Sequence, residues 1–360
     1  MDTSERILRL IESLKDFQGN DAFLAIVDDP SDCLYLTNVE SSNAVIYIDN
    51  KGSDSTVSVY TDNRYYEKFS SAIRKFSSIQ VKVAIGELPK ISCSAKPLYI
   101  DASSMSIARF RTICKDASLV DYHDIGKVLQ RLRSVKDDLE VEKLLTATQI
   151  ADASLLALLQ KGILGMTEIE VQRRLDQLLL EHGADSPSFP TIIASGPNAS
   201  MPHATPTDRT IEATDLVIID FGASYKGYHS DTTRTVKASN REFTAAEARI
   251  IEAVLAAHSL GVETLKIGSI GNEVDQAVRD SMSADDREHF IHSLGHGVGL
   301  EIHEYPFLVP NSTDKVEADH VATIEPGLYF AGKVGVRIED AYRVTKNGNV
   351  RLSSLPQVIA

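Results

Sequence analysis

Apolar residues near the start of the chain recur at the spacing of an amphipathic helix, over residues 5–16. Short segments rich in β-branched and aromatic residues follow, with helical patterns near 64–76 and 106–114 between them. We predict strands at 22–27, 43–48, 56–61, 80–86 and 96–101. Helices that alternate with short strands are typical of a small α/β domain.

Charge accumulates and apolar residues thin out over 121–137, which predicts a domain boundary near residue 125. The two predicted domains are therefore 1–124 and 125–360. A broad apolar face over 137–159 predicts a long helix at the start of the second domain. Further helices are predicted over 167–180, 244–258 and 268–283, with hairpins among and after them. This mixture indicates an α+β fold for the second domain.

Composition narrows the function without changing the predicted fold. The 360 residues are 43% hydrophobic and 24% charged, as in ordinary globular proteins. A formal net charge of −14 argues against nucleic acid as a partner, because phosphate binding needs clustered Lys and Arg. The charged, helical N-terminus does not fit a signal peptide, and no run approaches the ~18 apolar residues of a membrane span. We therefore expect a cytoplasmic protein that binds neither nucleic acid nor membranes.

The cysteines support the same location. Cys33, Cys93 and Cys114 lie far apart in the first third of the chain, away from the acidic residues considered below. An odd number without CxxC spacing predicts reduced, structural thiols.

Three acidic residues of the second domain each end a mainly apolar segment: Asp220 after LVII, Glu325 after VATI and Glu339 after GVRI. A buried carboxylate needs a compensating partner, so a solvated surface explains the three poorly. Asp231 adds a fourth acidic group. The segment HSLGHGVGLEIHE adds three histidines, His292, His296 and His303. Four carboxylates and one imidazole carry roughly the negative charge that two divalent cations need, and their oxygen and nitrogen atoms indicate a metal site without thiolates.

Turn geometry predicts that the two aspartates share one face of a hairpin. Side chains alternate faces along a strand, so the parity of residue numbers decides which residues lie on the same side. A two- or four-residue turn around Lys226–Gly227 pairs residues whose numbers sum to an odd value. Asp220 and Asp231 satisfy that condition.

The two glutamates are predicted to share a face of a second hairpin. The segment AGKVG (331–335) suggests a loop of odd length, which pairs residues whose numbers sum to an even value. Glu325 and Glu339 meet this condition. Pro326 has no amide hydrogen to donate, which predicts a sheet edge or a bulge at that point.

Two other features have simpler interpretations. The glycines of GHGVG only loosely resemble a phosphate-binding loop, because the GxGxxG spacing and a following helix are missing. We interpret them as positions where the backbone passes close to the site. Five histidines outside the acidic segments are predicted to be surface residues, namely His123, His182, His258, His289 and His320.

Four segments together resemble the pita-bread metallopeptidases, a family that includes proline dipeptidase, aminopeptidase P and, more distantly, methionine aminopeptidase. They are DFGASYKGYHSDTTRT, GHGVGLEIHE, TIEPGLYF and VRIED. The match by motif covers about 125–360 and implies a pita-bread catalytic domain. The first 120 residues are similar by position and pattern to the family's creatinase-type N-terminal domain, which is RNase H-like.

The resemblance also implies roles for individual residues. A dinuclear metal site would have Asp231 and Glu339 as bridging ligands, and a hydroxide between the metals would attack the scissile carbonyl. Glu325 would also act as the general base. Arg337 would pair with a ligating carboxylate. The full implied ligand set is Asp220, Asp231, His296, Glu325 and Glu339, and the histidines implied to bind substrate and stabilise the tetrahedral intermediate are His203, His292 and His303.

The activity implied is metal-dependent hydrolysis of the Xaa-Pro bond in dipeptides or short peptides, by a homodimer. The metals would be two Mn²⁺ or Co²⁺ ions, with Zn²⁺ or Fe²⁺ as alternatives, because oxygen and nitrogen ligands accept all four. Some dipeptidases of the family carry an Arg after HEYP that helps hold the free carboxylate of the substrate. This chain has Phe307 there, which favours longer peptides with proline in second position.

Two alternatives remain open. A methionine aminopeptidase-like exopeptidase is disfavoured by the additional N-terminal domain and by the Arg of VRIED. A catalytically silent binding module, or a metal-free creatinase-like hydrolase, would have lost ligands of the site, whereas this chain keeps all five.

Overall fold

A computed structural model describes residues 3–19, 22–52, 54–87, 90–91, 96–115 and 121–359. Cys93 lies outside the described residues. The chain divides into two compact units, Met1–Arg133 and Ser134–Ala360. The division falls within 121–137, where charge accumulates in the sequence. None of the helices in the described ranges is long and apolar enough to cross a membrane.

The first unit is built around one mixed sheet. Its elements in chain order are α1 (Thr3–Gln18), β1 (Ala22–Val27), α2 (Pro30–Thr37), β2 (Ala44–Lys51), β3 (Ser55–Thr61), α3 (Tyr66–Ile73), β4 (Val81–Ile85), β5 (Leu98–Ile100), α4 (Ile107–Ile113), β6 (Tyr122–Asp124) and α5 (Gly126–Ser134). The strand order is β4-β3-β2-β1-β5-β6. β1, β2 and β3 pair antiparallel, while β4, β5 and β6 join in parallel. All five predicted strands are present.

The structure adds elements that the sequence pattern missed. The short helix α2 begins after Asp29, whose carboxylate accepts hydrogen bonds from the amides of Ser31 and Asp32. The three-residue strand β6 lies in the charged segment, too short to show an alternating pattern. Cys33 and Cys114 are buried, and neither forms a disulfide within the described residues.

The second unit combines helices with several small antiparallel sheets. Its elements are α6 (Asp138–Lys161), α7 (Glu168–Glu181), β7 (Ser186–Pro187), β8 (Ile192–Ser195), β9 (Leu216–Phe221), β10 (Ala223–Tyr225), β11 (Tyr228–His229), β12 (Thr232–Lys237), α8 (Ala245–Thr264), α9 (Gly271–Ser281), α10 (Ala284–His289), β13 (Gly295–Gly297), β14 (Glu304–Leu308), β15 (Val321–Ile324), β16 (Gly327–Phe330), β17 (Val334–Arg337), β18 (Asp340–Thr345) and β19 (Gly348–Arg351). The strand orders are β11-β10-β7, β12-β9-β8, β14-β13-β15-β18-β19 and β16-β17.

Alternate residues of β9 face different surroundings. Val217 and Ile219 pack in a hydrophobic core with residues of α6 and α7. Ile218 belongs to a separate small cluster that includes Tyr329. Because side chains alternate along a strand, Asp220 points away from the two helices. The helix pair thus supports the strand from behind, and the carboxylate projects from its other face.

Helices α8 and α9 support the second carboxylate hairpin in the same way. Val254 of α8 shares a core with Ile324 of β15 and Val336 of β17. The predicted end of α8, at residue 258, was too early. The helix continues through Gly261, where an added Cβ would lie 2.8 Å from Ile324 Cγ2. Glycine is needed there for close packing of helix against strand.

Candidate metal centre

The first hairpin has the predicted turn and parity. Lys226 and Gly227 form the turn with φ of 50° and 79°, the positive values that a tight two-residue hairpin needs. On the strands, Asp220 lies opposite Thr233, and the two numbers sum to 453. This odd register is the predicted one. Asp231, two residues before Thr233, therefore shares the face of Asp220.

The second hairpin also has the predicted parity. Phe330 pairs with Val334, so the loop has three residues. Paired numbers sum to 664 on both sides of Pro326, at Gly327 opposite Arg337 and at Ile324 opposite Asp340. Glu325 and Glu339 therefore fall opposite each other. Of the two alternatives predicted at Pro326, the structure shows a break in the ladder: β15 ends before Pro326, β16 begins after it in a different sheet, and no bulge shifts the register.

The two hairpins and strand β13 converge on one cavity of about 430 Å³. The side chains on its wall include every candidate residue from the sequence: Asp220, Asp231, His203, His292, His296, His303, Glu325, Arg337 and Glu339. These residues lie on at least four separate segments of the chain. Their convergence is what a polynuclear metal site or a catalytic site requires.

Asp231, His296 and Glu339 come closest together. One potential ligand atom of each lies within 4.8 Å of the others. His296 Nε2 is also 3.5 Å from Glu325 Oε1. The other ring nitrogen, Nδ1, hydrogen-bonds to the carbonyl of Gly297 at 3.0 Å. Because a carbonyl can only accept, Nδ1 carries the proton and Nε2 presents its lone pair to the carboxylates.

The carboxylates of this cluster are crowded and short of positive charge. Burial, and then the charge of Glu339, raise the pKa of Asp231 and of Glu325 well above the usual range. Burial, and then the charge of Asp220, raise the pKa of Glu339 to about 8. Charges of one sign so close together disfavour ionisation of all members at once. Divalent cations would relieve that repulsion.

Arg337 lies behind Asp220 and orients it. Its Nη2 donates to Asp220 Oδ2 at 2.6 Å, and its Nη1 to the hydroxyl of Tyr329 at 2.7 Å. Its Nε donates to the hydroxyl of Thr233 at 3.1 Å. The second oxygen of Asp220, Oδ1, is buried and has no hydrogen-bond partner in the described part of the chain. An uncompensated carboxylate oxygen of this kind fits a metal ligand.

Tyr329 and Thr233 were missed by the sequence analysis. The hydroxyl of Tyr329 accepts from Arg337 and bonds to His292 Nε2 at 2.9 Å. Burial raises the pKa of Tyr329 to about 12, so the hydroxyl stays protonated. Thr233 donates to Glu339 Oε2 at 2.7 Å. A usable signal existed for Tyr329, since it shares strand parity with Glu325.

His292 and His303, for which the family resemblance implies contact with the substrate, differ in how many ring nitrogens form hydrogen bonds. His292 uses both, Nε2 on Tyr329 and Nδ1 on the carbonyl of Ser293 at 2.8 Å. His303 packs edge-on against His296, with ring centroids 4.3 Å apart. Burial, and then Arg337, lower the pKa of His292 to about 3, and burial lowers that of His303. Both imidazoles are therefore neutral near pH 7.

A buried ion pair lies next to His303 in the sequence. The Lys136 ammonium pairs with the Glu304 carboxylate, and their side chains are 1% and 0% exposed. Glu304 also accepts from the amide of Glu301 at 3.4 Å. The pair ties the segment that carries His303 to the residues before α6. No local sequence pattern indicated this partner.

Two of the five histidines predicted at the surface are buried instead. His258 and His320 are each 1% exposed. His258 lies on the inner side of α8 and accepts from the side-chain amide of Gln357, while His320 bonds to the hydroxyl of Ser134. Polar sequence neighbours were misleading, because the fold buries both rings and each bonds to a residue from a distant segment, although Nε2 of His258 has no hydrogen-bond partner in the described part of the chain.

A cavity lined by four carboxylates and four histidines, on hairpins supported by helix pairs, has the donor groups expected in a metal-dependent hydrolase. The chain belongs to metallopeptidase family M24, whose family model matches residues 142–346. Membership of this family implies divalent metal ions as cofactors. The family resemblance and the fold class inferred from the sequence are thereby confirmed.

Individual relatives are similar to this chain in sequence or in structure over nearly its whole length. An Xaa-Pro dipeptidase of Pyrococcus horikoshii is 34% identical over 97% of this chain and 97% of its own length. The solved structure of an Xaa-Pro dipeptidase from Bacillus anthracis has a TM-score of 0.88 at 32% identity and covers 99% of this chain and 100% of its own. An X-Pro aminopeptidase from Thermotoga maritima has a TM-score of 0.82 at 27% identity, covering 96% and 100%. The similarity therefore includes the first unit.

Proposed function

We propose that this protein is a metal-dependent peptidase that hydrolyses the Xaa-Pro bond of short peptides. The observation that carries this proposal is the convergence of Asp220, Asp231, His296, Glu325 and Glu339 on one cavity. The similarity to proteins named Xaa-Pro dipeptidase and X-Pro aminopeptidase supplies the substrate class. The match across the first unit disfavours the methionine aminopeptidase-like alternative.

We assign two divalent metals to these five residues, with Mn²⁺ or Co²⁺ as the expected ions and Zn²⁺ or Fe²⁺ as alternatives. The donor atoms are oxygen and nitrogen only, which suits these metals. The raised pKa values of Asp231, Glu325 and Glu339, and the unpartnered oxygen of Asp220, support cation binding. When bound, such metals polarise a carbonyl and supply a water of lowered pKa.

Residues of the chain would supply the general base and the contacts to the substrate. Glu325 is the proposed general base, because within the described residues no donor side chain or amide holds its carboxylate. We assign substrate contact to His203 and His303, and their position on the cavity wall supports this assignment. His292 already uses both ring nitrogens, so a supporting role through Tyr329 suits it better than direct contact.

The cavity favours peptides that extend beyond the proline. Among the described residues on its wall, Arg337 alone carries a permanent positive charge, and Asp220, Tyr329 and Thr233 already occupy it. Phe307 stands where an arginine would hold a free carboxylate. A dipeptide ending at proline would place its charged carboxylate against this apolar surface at a desolvation cost.

An add-back assay tests the function and the preference together. The protein is stripped with a chelator, Mn²⁺ or Co²⁺ is restored, and kcat/KM is measured on Ala-Pro, on Ala-Pro-Ala and on Met-Ala-Ala. We expect metal-dependent release of the first residue from both proline peptides, faster from the tripeptide. Preferred cleavage of Met-Ala-Ala would support the methionine aminopeptidase alternative. No cleavage with any metal would support the silent binding module.

The homodimer implied by the family resemblance is part of the proposal. Sedimentation velocity of the metal-loaded protein is expected to give twice the chain mass of 39.4 kDa. A single species at the chain mass would contradict it.

A further inference from the structure

A loop between β8 and β9 brings one of the candidate histidines to the cavity. It starts at Ser195, the last residue of β8, makes a 3₁₀ turn over Gly196–Ser200 and reaches Thr207. We call residues 195–207 the His203 loop. Pro202 and His203, near its middle, line the cavity. The loop has the length of a compact Ω-loop, whose two ends lie close together.

One buried carboxylate joins the two ends of this loop. Glu168, the first residue of α7, is 0% exposed. Its Oε1 accepts from the amide and the hydroxyl of Ser195, both at 2.7 Å. Its Oε2 accepts from the amide of Thr207 at 3.0 Å and from the hydroxyl at 2.7 Å. The side-chain amide of Asn198 donates to both oxygens, at 3.2 and 3.0 Å.

The surroundings of Glu168 show that hydrogen-bond donors of the loop hold the carboxylate. All six hydrogen bonds that it accepts within the described part of the chain come from residues of the His203 loop. Its position at the N-terminus of α7 also favours a negative charge. Arg209 reaches the group indirectly, by donating to the hydroxyl of Ser195 at 2.6 Å.

The far side of the loop contacts the candidate site. The carbonyl of Pro202 accepts from Arg337 Nη1 at 3.2 Å, and Arg337 in turn holds Asp220. A Cβ added to Gly335 would lie 1.8 Å from the carbonyl oxygen of Ala199, so the loop packs directly on β17. A shift of the loop would therefore displace His203 from the cavity wall.

We propose that Glu168 is a positioning residue that holds His203 at the cavity through the His203 loop. The inference rests on the proposed function, in which His203 contacts the substrate. Two carboxylate oxygens are required, because one holds the start of the loop and the other its end. Glutamine has the same shape but only one side-chain oxygen. Its NH₂ group, which cannot accept, would therefore face the hydrogen-bond donors at one end of the loop.

A matched pair of variants tests this role. Glu168→Gln removes the carboxylate that holds the His203 loop. Asp152→Asn removes a buried carboxylate whose hydrogen-bond partners do not line the cavity. Asp152 is 4% exposed and accepts from the hydroxyl of Ser353 and from the amide and hydroxyl of Ser354. We expect Glu168→Gln to lower kcat/KM on Ala-Pro-Ala about tenfold or more, mainly through kcat, since misplacement by ~1 Å costs up to ~100-fold. Asp152→Asn should stay within about twofold of wild type, although both variants melt at lower temperature.

A double-mutant cycle separates positioning from general destabilisation. If Glu168 acts through His203, adding Glu168→Gln to His203→Ala lowers kcat/KM by no more than about twofold. An undiminished loss in the His203→Ala background would overturn the proposal. Hydrogen exchange by mass spectrometry should be faster over 196–207 in Glu168→Gln, and unchanged there in Asp152→Asn.

The exchange measurement does not depend on activity. Should the wild type cleave no proline peptide, the proposed function fails. Exchange that is no faster over 196–207 in Glu168→Gln would then overturn the positioning role separately, and faster exchange confined to that loop would support it. Should Glu168→Gln not fold, Thr207→Val removes one donor at the exposed end of the loop and is tested in the same cycle, with the same outcomes.

Discussion

Two groups of buried carboxylates in the second unit differ in what surrounds them. Glu168 and Asp152 each accept several hydrogen bonds from nearby hydroxyls and amides. Asp231 and Glu325 receive none from protein donors in the described ranges, and Glu339 receives one from Thr233. Burial is similar for four of these residues, which are at most 5% exposed, whereas the Glu325 side chain is 16% exposed. The difference lies in the donors, which stabilise the charged form of a buried carboxylate.

The comparison separates carboxylates that stabilise the fold from those that we propose bind a cation. A buried charge without donors destabilises the protein, so it persists only where the surrounding structure holds it. Here the registers of the two hairpins decide where the acidic side chains lie, and the two helix pairs hold the hairpins in place. Functional sites commonly carry such a cost in stability.

The largest expected effect comes from Glu325→Gln, which removes a carboxylate that lacks donors. Turnover of Ala-Pro-Ala should fall about 1000-fold, because general bases contribute ~10²–10⁴-fold. The free energy of unfolding of the metal-free protein should not decrease, since repulsion from Glu339 is relieved. Steady-state kinetics and urea unfolding with chelator measure both quantities.

Asp152→Asn is the control from the other group. It should keep its activity and lose about 1–3 kcal/mol of unfolding free energy, because donors are left without an acceptor. The distinction between the two groups would be wrong if Glu325→Gln were destabilised as much as Asp152→Asn.

A smaller effect is expected from Thr233→Val, which removes the hydroxyl that donates to Glu339. Loss of a residue that orients a metal ligand typically costs ~10–100-fold in metal affinity or activity. Titration of the stripped protein with Mn²⁺, followed by calorimetry, measures the affinity. Thr235→Val is the control, because the Thr235 hydroxyl bonds to the backbone of Arg337 at 2.9 and 3.0 Å and to no carboxylate among the residues that the structure describes. Equal losses in both variants would show that Thr233 has no special role.

The smallest expected effect concerns a buried imidazole, that of His258, which like the carboxylates is buried in a form set by its surroundings. Burial, and then the charges of Arg234 and Arg351, lower the pKa of His258 from 6.5 to about 3. Asp340 also faces the ring, 3.8 Å from its Nε2. The unfolded chain binds a proton below pH 6.5 and the folded protein does not. His258 therefore destabilises the fold as pH falls from 6.5 towards about 3, by ~1.4 kcal/mol per pH unit.

His258→Gln should make unfolding less sensitive to pH over that window. Urea unfolding of the metal-free protein at pH 7 and pH 5 measures the difference. His320→Gln is an independent second variant, since burial also lowers the pKa of His320 to about 3. If both variants lost as much stability as wild type between the two pH values, neutral burial of these rings would be refuted.

The sequence by itself determined the fold class, five of the six strands of the first unit and the parity of both carboxylate hairpins. These properties are local: strand alternation and turn length decide which residues share a face, whatever the rest of the chain does. The acidic residues that follow apolar segments were found for the same reason. Each sits at the end of a buried strand.

Only the tertiary structure decided which groups complete the site and hold it. Thr233 and Glu339 are 106 residues apart in sequence, Arg337 and Asp220 are 117 apart, and Glu168 reaches Thr207 across 39. The tertiary structure also buries His258 and His320, and it gives both ring nitrogens of His292 a hydrogen-bond partner. Such contacts depend on how separate helices and hairpins pack, and no local spacing in the chain encodes them.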